Sequence, residues 1–360
     1  MSDTTPSRLK QTTLIGKTDY WNDSCSASEL SYAIDNGAVG ATSNPTIVLE
    51  VVKREFAVWR EVIARIAGEN PTWDETKVCW KLIDEMGVQA ARLLLPVFER
   101  ENGRKGRISM QTNPQFYRDT EAILAHAAHF DSLAANIQVK IPVTKAGIAA
   151  IEEATFRGIT VNATVNFTLP QSIAVAEAVE RGLDRRTAAG LPSDKLTPVC
   201  TIMIGRLDDW LKIVAKTQDI ILTPGHLDWA GIAVMKKAYP IFQQRGYRAR
   251  LLVAAYRHHM HWSALVGGDI IHTIPYAWQR LYNASDIDVR LTQDEPVDPA
   301  VVEEIYRKFP DFRRAYDEGG LSIDEFDTFG ATVRTLRNFI GSYHELVGAV
   351  RDVMLPDPDR

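Results

Sequence analysis

The sequence predicts a single (β/α)8 barrel, an α/β fold closed by an additional C-terminal helix, and three observations carry that expectation. Short β-rich runs recur eight times, at 13–20, 38–42, 107–111, 137–142, 159–165, 197–204, 248–255 and 269–274. Helix-period segments, such as 57–66, 86–99, 146–156 and 229–242, lie between most of them. No GxGxxG follows the first run, which weighs against a doubly wound open sheet, the other common way to alternate strands with helices. Neither an internal repeat nor a low-complexity linker divides the chain. The expected unit is therefore one domain over 1–360, with the barrel in about 13–290 and a closing helical tail in about 291–360.

Along the chain, the predicted strands end beside unusual polar residues. Asp23 follows the first and also stands where it would cap a helix beginning near Ser26. The second runs into Thr42-Ser43-Asn44-Pro45-Thr46, where an asparagine before proline suits an Asx turn. The third closes on Gln111, the fourth contains Lys140, and the fifth holds Asn162 and Thr164. A charge-rich stretch at 181–197, with Gly190 and Pro192, reads as an insertion before the sixth, whose end is flanked by Thr201 and Arg206. Arg206 has Asp209 within reach as a surface partner, and Arg257 lies just past the seventh strand. In a (β/α)8 barrel all C-terminal strand ends share one rim, so these scattered residues are expected to converge. Further on, Ser322 and Glu325 have capping-box spacing. With Phe329, Val333, Leu336, Ile340, Tyr343, Val347 and Val350 recurring at helical period, they predict a long helix packed on the barrel.

Composition narrows the classes of function. The 360 residues are 45% hydrophobic, enough for a sizeable core, and the net charge of -5 is spread over interspersed signs. There is no basic stripe for nucleic acid and no polybasic patch for a membrane surface. No apolar run approaches the length of a membrane span, and the N-terminal residues are too polar for a signal peptide. Cys25, Cys79 and Cys200 are odd in number and widely spaced, which suggests a reducing compartment. A soluble cytoplasmic protein is expected, and any anionic partner is small.

Lys140 carries the sharpest chemical signal. It is an ammonium written into Ile137-Gln138-Val139-Lys140-Ile141-Pro142, whose apolar neighbours specify a buried strand. Burial desolvates the charged form and lowers the pKa, so the neutral amine that attacks a carbonyl becomes accessible near pH 7. The alternative is structural, a lysine neutralised in the core by an acidic neighbour. A second signal is discounted. Arg257-His258-His259-Met260-His261 offers three imidazoles, but no carboxylate or cysteine of matching spacing completes a ligand set, and no metal is expected. Histidines at a helix start more often donate to backbone or to an anion.

The constellation resembles the transaldolases, Schiff-base enzymes of sugar-phosphate metabolism. The likeness runs from about Thr18 to the tail. It passes through Gly40-Ala41-Thr42-Ser43-Asn44-Pro45-Thr46-Ile47, the Lys140 strand, Gly158-Ile159-Thr160-Val161-Asn162-Ala163-Thr164 and Gly205-Arg206-Leu207-Asp208-Asp209-Trp210. It ends in Glu325-Phe326-Asp327-Thr328-Phe329-Gly330-Ala331-Thr332-Val333-Arg334-Thr335-Leu336.

The resemblance implies an α/β barrel, no cofactor, and small sugar phosphates as partners, a ketose donor and an aldose acceptor. It leaves a homo-oligomer open. Residue by residue, it implies that Lys140 forms the Schiff base and Asp23 moves protons, Asp23 being preferred to Asn22 because proton transfer needs a titratable group. Asn44 would bind hydroxyls and orient the carbinolamine, Thr164 would position the catalytic water, and Thr201 would contact the substrate. Thr42 and Asn162 join the substrate-binding set, and Arg206 and Arg257 would hold the phosphate.

Gln111 is the departure. It stands where ordinary transaldolases carry a glutamate that works with the threonine and a water, and an amide can hold that water but cannot take its proton. The family's small branch resembling fructose-6-phosphate aldolase carries glutamine there. The leading expectation is transfer of a dihydroxyacetone unit from a ketose phosphate to an aldose. The alternatives are an aldolase that releases free dihydroxyacetone, a specialised transaldolase for an unusual sugar such as a sulfonated one, and a noncatalytic sugar-phosphate binding protein on a retained barrel.

Overall fold

The computed structural model describes residues 5–358; residues 1–4 and 359–360, the two ends of the expected domain span, lie outside the described residues. Eight strands close into a barrel in sequence order: β1 (Asp19–Asn22), β2 (Gly40–Thr42), β3 (Arg107–Gln111), β4 (Ile137–Pro142), β5 (Val161–Thr164), β6 (Val199–Ile202), β7 (Arg250–Val253) and β8 (Ile270–Ile274). Each pairs in parallel with its neighbours, and β8 closes on β1. Every strand residue except Arg250 is buried, as a sheet covered by helices outside and filled by its own side chains inside requires. This is the fold class that the sequence predicts.

The period of two along each strand decides what the interior contains. At the N-terminal end Asp19 pairs with Lys105 at 2.7 Å and Arg250 at 2.6 Å. Higher up runs a one-way chain of buried hydrogen bonds. Thr201 donates to Asn162 (2.7 Å), Asn162 to Ser109 (3.0 Å), Ser109 to Gln138 (2.8 Å), and Gln138 to the carbonyls of Val161 and Thr197. Each member finds a partner, so the chain ties four strands together without stranding a polar group. Two residues further along those strands, the same inward parity brings Gln111, Lys140 and Thr164 to the C-terminal rim.

The structure corrects three local expectations. The first strand is Asp19–Asn22, and most of the run expected from residue 13 is the end of a helix, Arg8–Leu14, and a turn. Ser7 caps that helix by accepting from the Lys10 N–H, and Leu9 and Thr12 bury its inner side at helical spacing. The charged stretch from 181 is no insertion until residue 189, because the helix Leu169–Ala188 continues through it. Its charges belong to an exposed face, on which Arg181 and Arg185 pair with Glu152 and Glu153, while Gly182, Leu183 and Arg186 stay buried. The capping box of Ser322 and Glu325 exists, but it starts a short 3-10 helix, Ile323–Thr328.

The long tail helix starts afresh at Gly330 and runs to Met354. A Cβ at Gly330 would sit 2.0 Å from the ring of Trp210, so only glycine lets this helix start dock there. That docking also turns the helix. Thr332, Thr335, Leu336, Phe339, Tyr343, Leu346 and Val350 are buried, whereas Val333, expected inside, is exposed.

Candidate active site

At the C-terminal rim opens a cavity of 270 Å³, lined by Asp23, Asn44, Glu50, Lys140, Arg206 and Arg257 among others. A wider hollow of 600 Å³ lies at the opposite end of the barrel, but there Asp19, Lys105 and Arg250 neutralise one another.

Lys140 is 2% exposed. Its Nζ donates one long hydrogen bond, 3.5 Å, to the Ser43 carbonyl, and it forms no ion pair with a carboxylate among the described residues. The structural alternative, a lysine neutralised by direct contact, is thus not what the fold builds. Burial pulls the amine down to about 8, against the attraction of Asp23 and with a smaller push from Arg206. About a tenth of such an amine is neutral at pH 7, which suffices for nucleophilic attack. The decoy in the next loop differs. Lys145 is exposed, paired with Asp324 at 2.6 Å, and raised by that partner.

Asp23 follows β1 and accepts a hydrogen bond from Thr42 Oγ1 at 2.5 Å; Thr42 in turn meets Thr273 at 2.6 Å. Burial raises its carboxyl above the usual range, opposed by Lys140, Thr42 and Arg206. Its neighbour Asn22 turns the other way, accepting from Gln279 and donating to the Ser24 carbonyl. Asn44 caps the helix Pro45–Arg54 by accepting from the Ile47 N–H, so its Oδ1 is committed and its amide N–H groups are the part open to a substrate.

Gln111 is opposite Lys140 in the β3–β4 register, and its buried Oε1 has no hydrogen-bond partner among the described residues. Thr164 is buried and its hydroxyl donates to Met203 Sδ at 3.7 Å, while Asn162 and Thr201 spend their side chains on the interior chain described above. Five of the ten residues singled out from the sequence therefore line the cavity: Asp23, Asn44, Lys140, Arg206 and Arg257. The other five, Thr42, Gln111, Asn162, Thr164 and Thr201, form buried structure around and beneath it.

The two arginines converge because Gly205 opens the way. A Cβ there would lie 2.0 Å from the Ala255 carbonyl, so the helix Ile204–Thr217 presses on the loop that carries Arg257. Ala255 itself adopts φ +68°, a left-handed backbone costing on the order of 1 kcal/mol for a residue with a Cβ. The arginines are not equivalent. Arg257 gives Nε and Nη2 to the Asp209 carboxylate (2.8 Å at the closest) and Nη1 to the Tyr256 carbonyl. Asp209 is thus the partner of Arg257, not of Arg206. Arg206 is held by the tail helix, donating from Nη2 to Asn338 Oδ1 at 3.1 Å and lying 5.0 Å over the Phe339 ring, while its buried Nε has no partner among the described residues. Burial pushes this guanidinium down to about 10, with Arg257 and Arg334 adding repulsion.

The fold also supplies what the histidine cluster lacks in sequence. Asp208 comes within 2.8 Å of His261 and 3.8 Å of His258, a set that brings one ligand atom from each residue within 4.8 Å of the others. His261, however, accepts the Arg257 backbone N–H at Nδ1, so its ring proton sits on Nε2 and points at Asp208. No lone pair is left there for a metal. Asp208 also accepts from the Gly231 N–H, and the unit acts as a buttress under Arg257.

Comparison with known proteins decides the family. The family model described as transaldolase/fructose-6-phosphate aldolase matches residues 20–318. This chain belongs to that family. Among curated relatives, Transaldolase 1 of Streptomyces avermitilis is 33% identical over 211 residues, which cover 57% of this chain and 54% of that protein. Transaldolases of Thiobacillus denitrificans (28% over 266 residues) and Neisseria gonorrhoeae (26% over 278 residues) align over 67% and 71% of this chain and over 72% and 78% of their own lengths. Against the first of these relatives, the chain spans about half the length. Among the described residues, no helix is long and apolar enough to cross a membrane.

Five participants are missed by a reading of the sequence or, for Asp209, set against Arg206 in place of Arg257. Asp209, Arg334, Asn338 and Phe339 frame the arginines from outside the rim loops, and Glu50 lines the cavity without a hydrogen bond or ion pair among the described residues. For Glu50 a signal exists: it lies three residues after Ile47 and four after Thr46, on the same side of the helix that Asn44 caps. For the tail residues no local signal exists, since 132 residues separate Asn338 from Arg206.

Proposed function

We propose that this protein is a Schiff-base transaldolase that moves a three-carbon dihydroxyacetone unit from a ketose phosphate to an aldose acceptor. The observation that carries the reading is Lys140, buried without a direct acidic partner and sharing one cavity with Asp23 and two arginines.

Neutral Lys140 attacks the ketose C2 carbonyl, and loss of water leaves an iminium. A base, Asp23 in this reading, takes the proton from the C4 hydroxyl. The C3–C4 bond then breaks, its electrons enter the iminium to give an enamine, and the aldose departs. The enamine next adds to the carbonyl carbon of the acceptor, the new alkoxide regains a proton, and water hydrolyses the iminium to free Lys140. Reduction with borohydride in the presence of fructose 6-phosphate, followed by intact mass, tests this. The wild type should gain the mass of the reduced adduct, and no gain would overturn the proposal.

Arg206 and Arg257 anchor the anionic end in this reading, but unequally. A hydrogen bond to a charged group is worth about 1.5 to 3 kcal/mol, so Arg206→Ala should weaken fructose 6-phosphate by roughly tenfold or more. Arg257→Ala should cost less, because Asp209 already occupies its fork. Unphosphorylated dihydroxyacetone should be indifferent to both, and equal losses for the two ligands would mean damage to the fold.

A second reading, release of free dihydroxyacetone, turns on Gln111, which stands where the branch resembling fructose-6-phosphate aldolase carries glutamine. The amide at Gln111 offers an unpartnered acceptor beside Lys140 but no group able to take a proton from water. Acceptor and water compete for the same bound intermediate, so Gln111→Glu should change the ratio of transferred product to free dihydroxyacetone. Measured with erythrose 4-phosphate as acceptor over a range of concentrations, an unchanged ratio would remove Gln111 from the reaction.

A further inference from the structure

The tail helix, which the sequence presents as packing, reaches both arginines of the proposed anion site. Arg334 and Asn338 are four residues apart and share an exposed side of the helix. Asn338 fixes Arg206, and Phe339 beside it backs the same guanidinium. Arg334 Nη1 lies 3.8 Å from Asp209 Oδ2, the oxygen that also accepts from Arg257 Nη2 at 2.8 Å. One face of one helix therefore sets the position of Arg206 directly and the electrostatic surroundings of Arg257 through a shared carboxylate. Three guanidiniums and one carboxylate leave an excess of two positive charges at this end of the cavity. A phosphomonoester carries close to two negative charges at neutral pH, whereas a sulfonate carries one.

We infer that the tail helix belongs to the substrate site: Asn338 is a positioning residue for Arg206, and Arg334 is a specificity-determining charge that favours a dianionic end over a monoanionic one. This rests on the Schiff-base reading above and adds to it the basis on which phosphorylated and sulfonated sugars are told apart.

Borohydride trapping tests it with fructose 6-phosphate, 6-deoxy-6-sulfofructose and dihydroxyacetone. Arg334 is partly exposed, so the effect of its charge is screened. Arg334→Gln should weaken the phosphate ester about fivefold and the sulfonate roughly twofold, in proportion to their charge, and Arg334→Lys should retain most of the difference. Asn338→Ala should raise the concentration needed for half-trapping of both anionic sugars by roughly tenfold and leave dihydroxyacetone unchanged. Trapping of dihydroxyacetone in each variant shows that the barrel is intact. Equal losses for phosphate and sulfonate in Arg334→Gln, or no loss, would overturn the role of Arg334, and a loss that extends to dihydroxyacetone in Asn338→Ala would make Asn338 merely structural. Failure of the wild type to trap any of the three would instead overturn the Schiff-base reading.

Discussion

Lys140→Met should abolish the borohydride adduct and turnover together, because no other amine in the cavity is both buried and free of a direct acidic partner. Peptide mapping of the wild-type adduct should find it on Lys140. An adduct that persists in the variant, or one that maps to Lys145, would sink the assignment. The same substitution should stabilise the fold, which separates loss of chemistry from loss of structure. An amine held near 8 when folded and near 10.5 when unfolded costs the native state up to about 3 kcal/mol wherever both forms are protonated, below pH 8. Between pH 8 and 10.5 the unfolded chain binds the extra proton, so wild-type stability rises with pH across that window. The advantage of Lys140→Met, read from denaturant midpoints, should therefore be largest at neutral pH and shrink above pH 8. A variant less stable than wild type at pH 7 would mean that Lys140 is a structural cation.

Asp23→Asn should keep the covalent step and lose the cleavage. The asparagine can still accept the Thr42 hydroxyl, so the local fold has little reason to move, but it cannot take a proton from a substrate hydroxyl. Removal of a positioned general base costs on the order of 10² to 10⁴ in rate. Trapping with dihydroxyacetone should persist in this variant while cleavage of fructose 6-phosphate falls by that factor. Cleavage within a fewfold of wild type would move the base elsewhere, and Glu50, on the same cavity wall, is the next candidate to replace.

How far the sequence discloses these features depends on the range of the interaction that makes them. Strands β2 to β8 are legible because each is a short β-rich run set between helical segments, although β5, β6 and β7 are shorter than their runs. Lys140 is legible for the same reason, as a charge inside such a run. The helix Arg8–Leu14 is not, because its seven residues give barely two turns in which a period of 3.6 can be told from a strand. The tail helix is legible as a helix, but the side it buries is set by contacts such as Gly330 against Trp210, which no period within the helix records. Asp208 beneath His261 and Asn338 on Arg206 are invisible until the barrel closes, since each joins elements far apart in the chain.

The bond between Arg206 and Asn338 has a consequence in time. A ribosome extends the chain from the N-terminus at about 5 to 20 residues per second, so the 132 residues between these partners take on the order of ten seconds to make. All eight strands, ending at Ile274, are complete while Asn338 is still unmade. The bracket on Arg206 is thus the last part of the proposed anion site to be synthesised. On the proposed reading, the bracket that positions Arg206 for a charged sugar is completed only with the last long helix described.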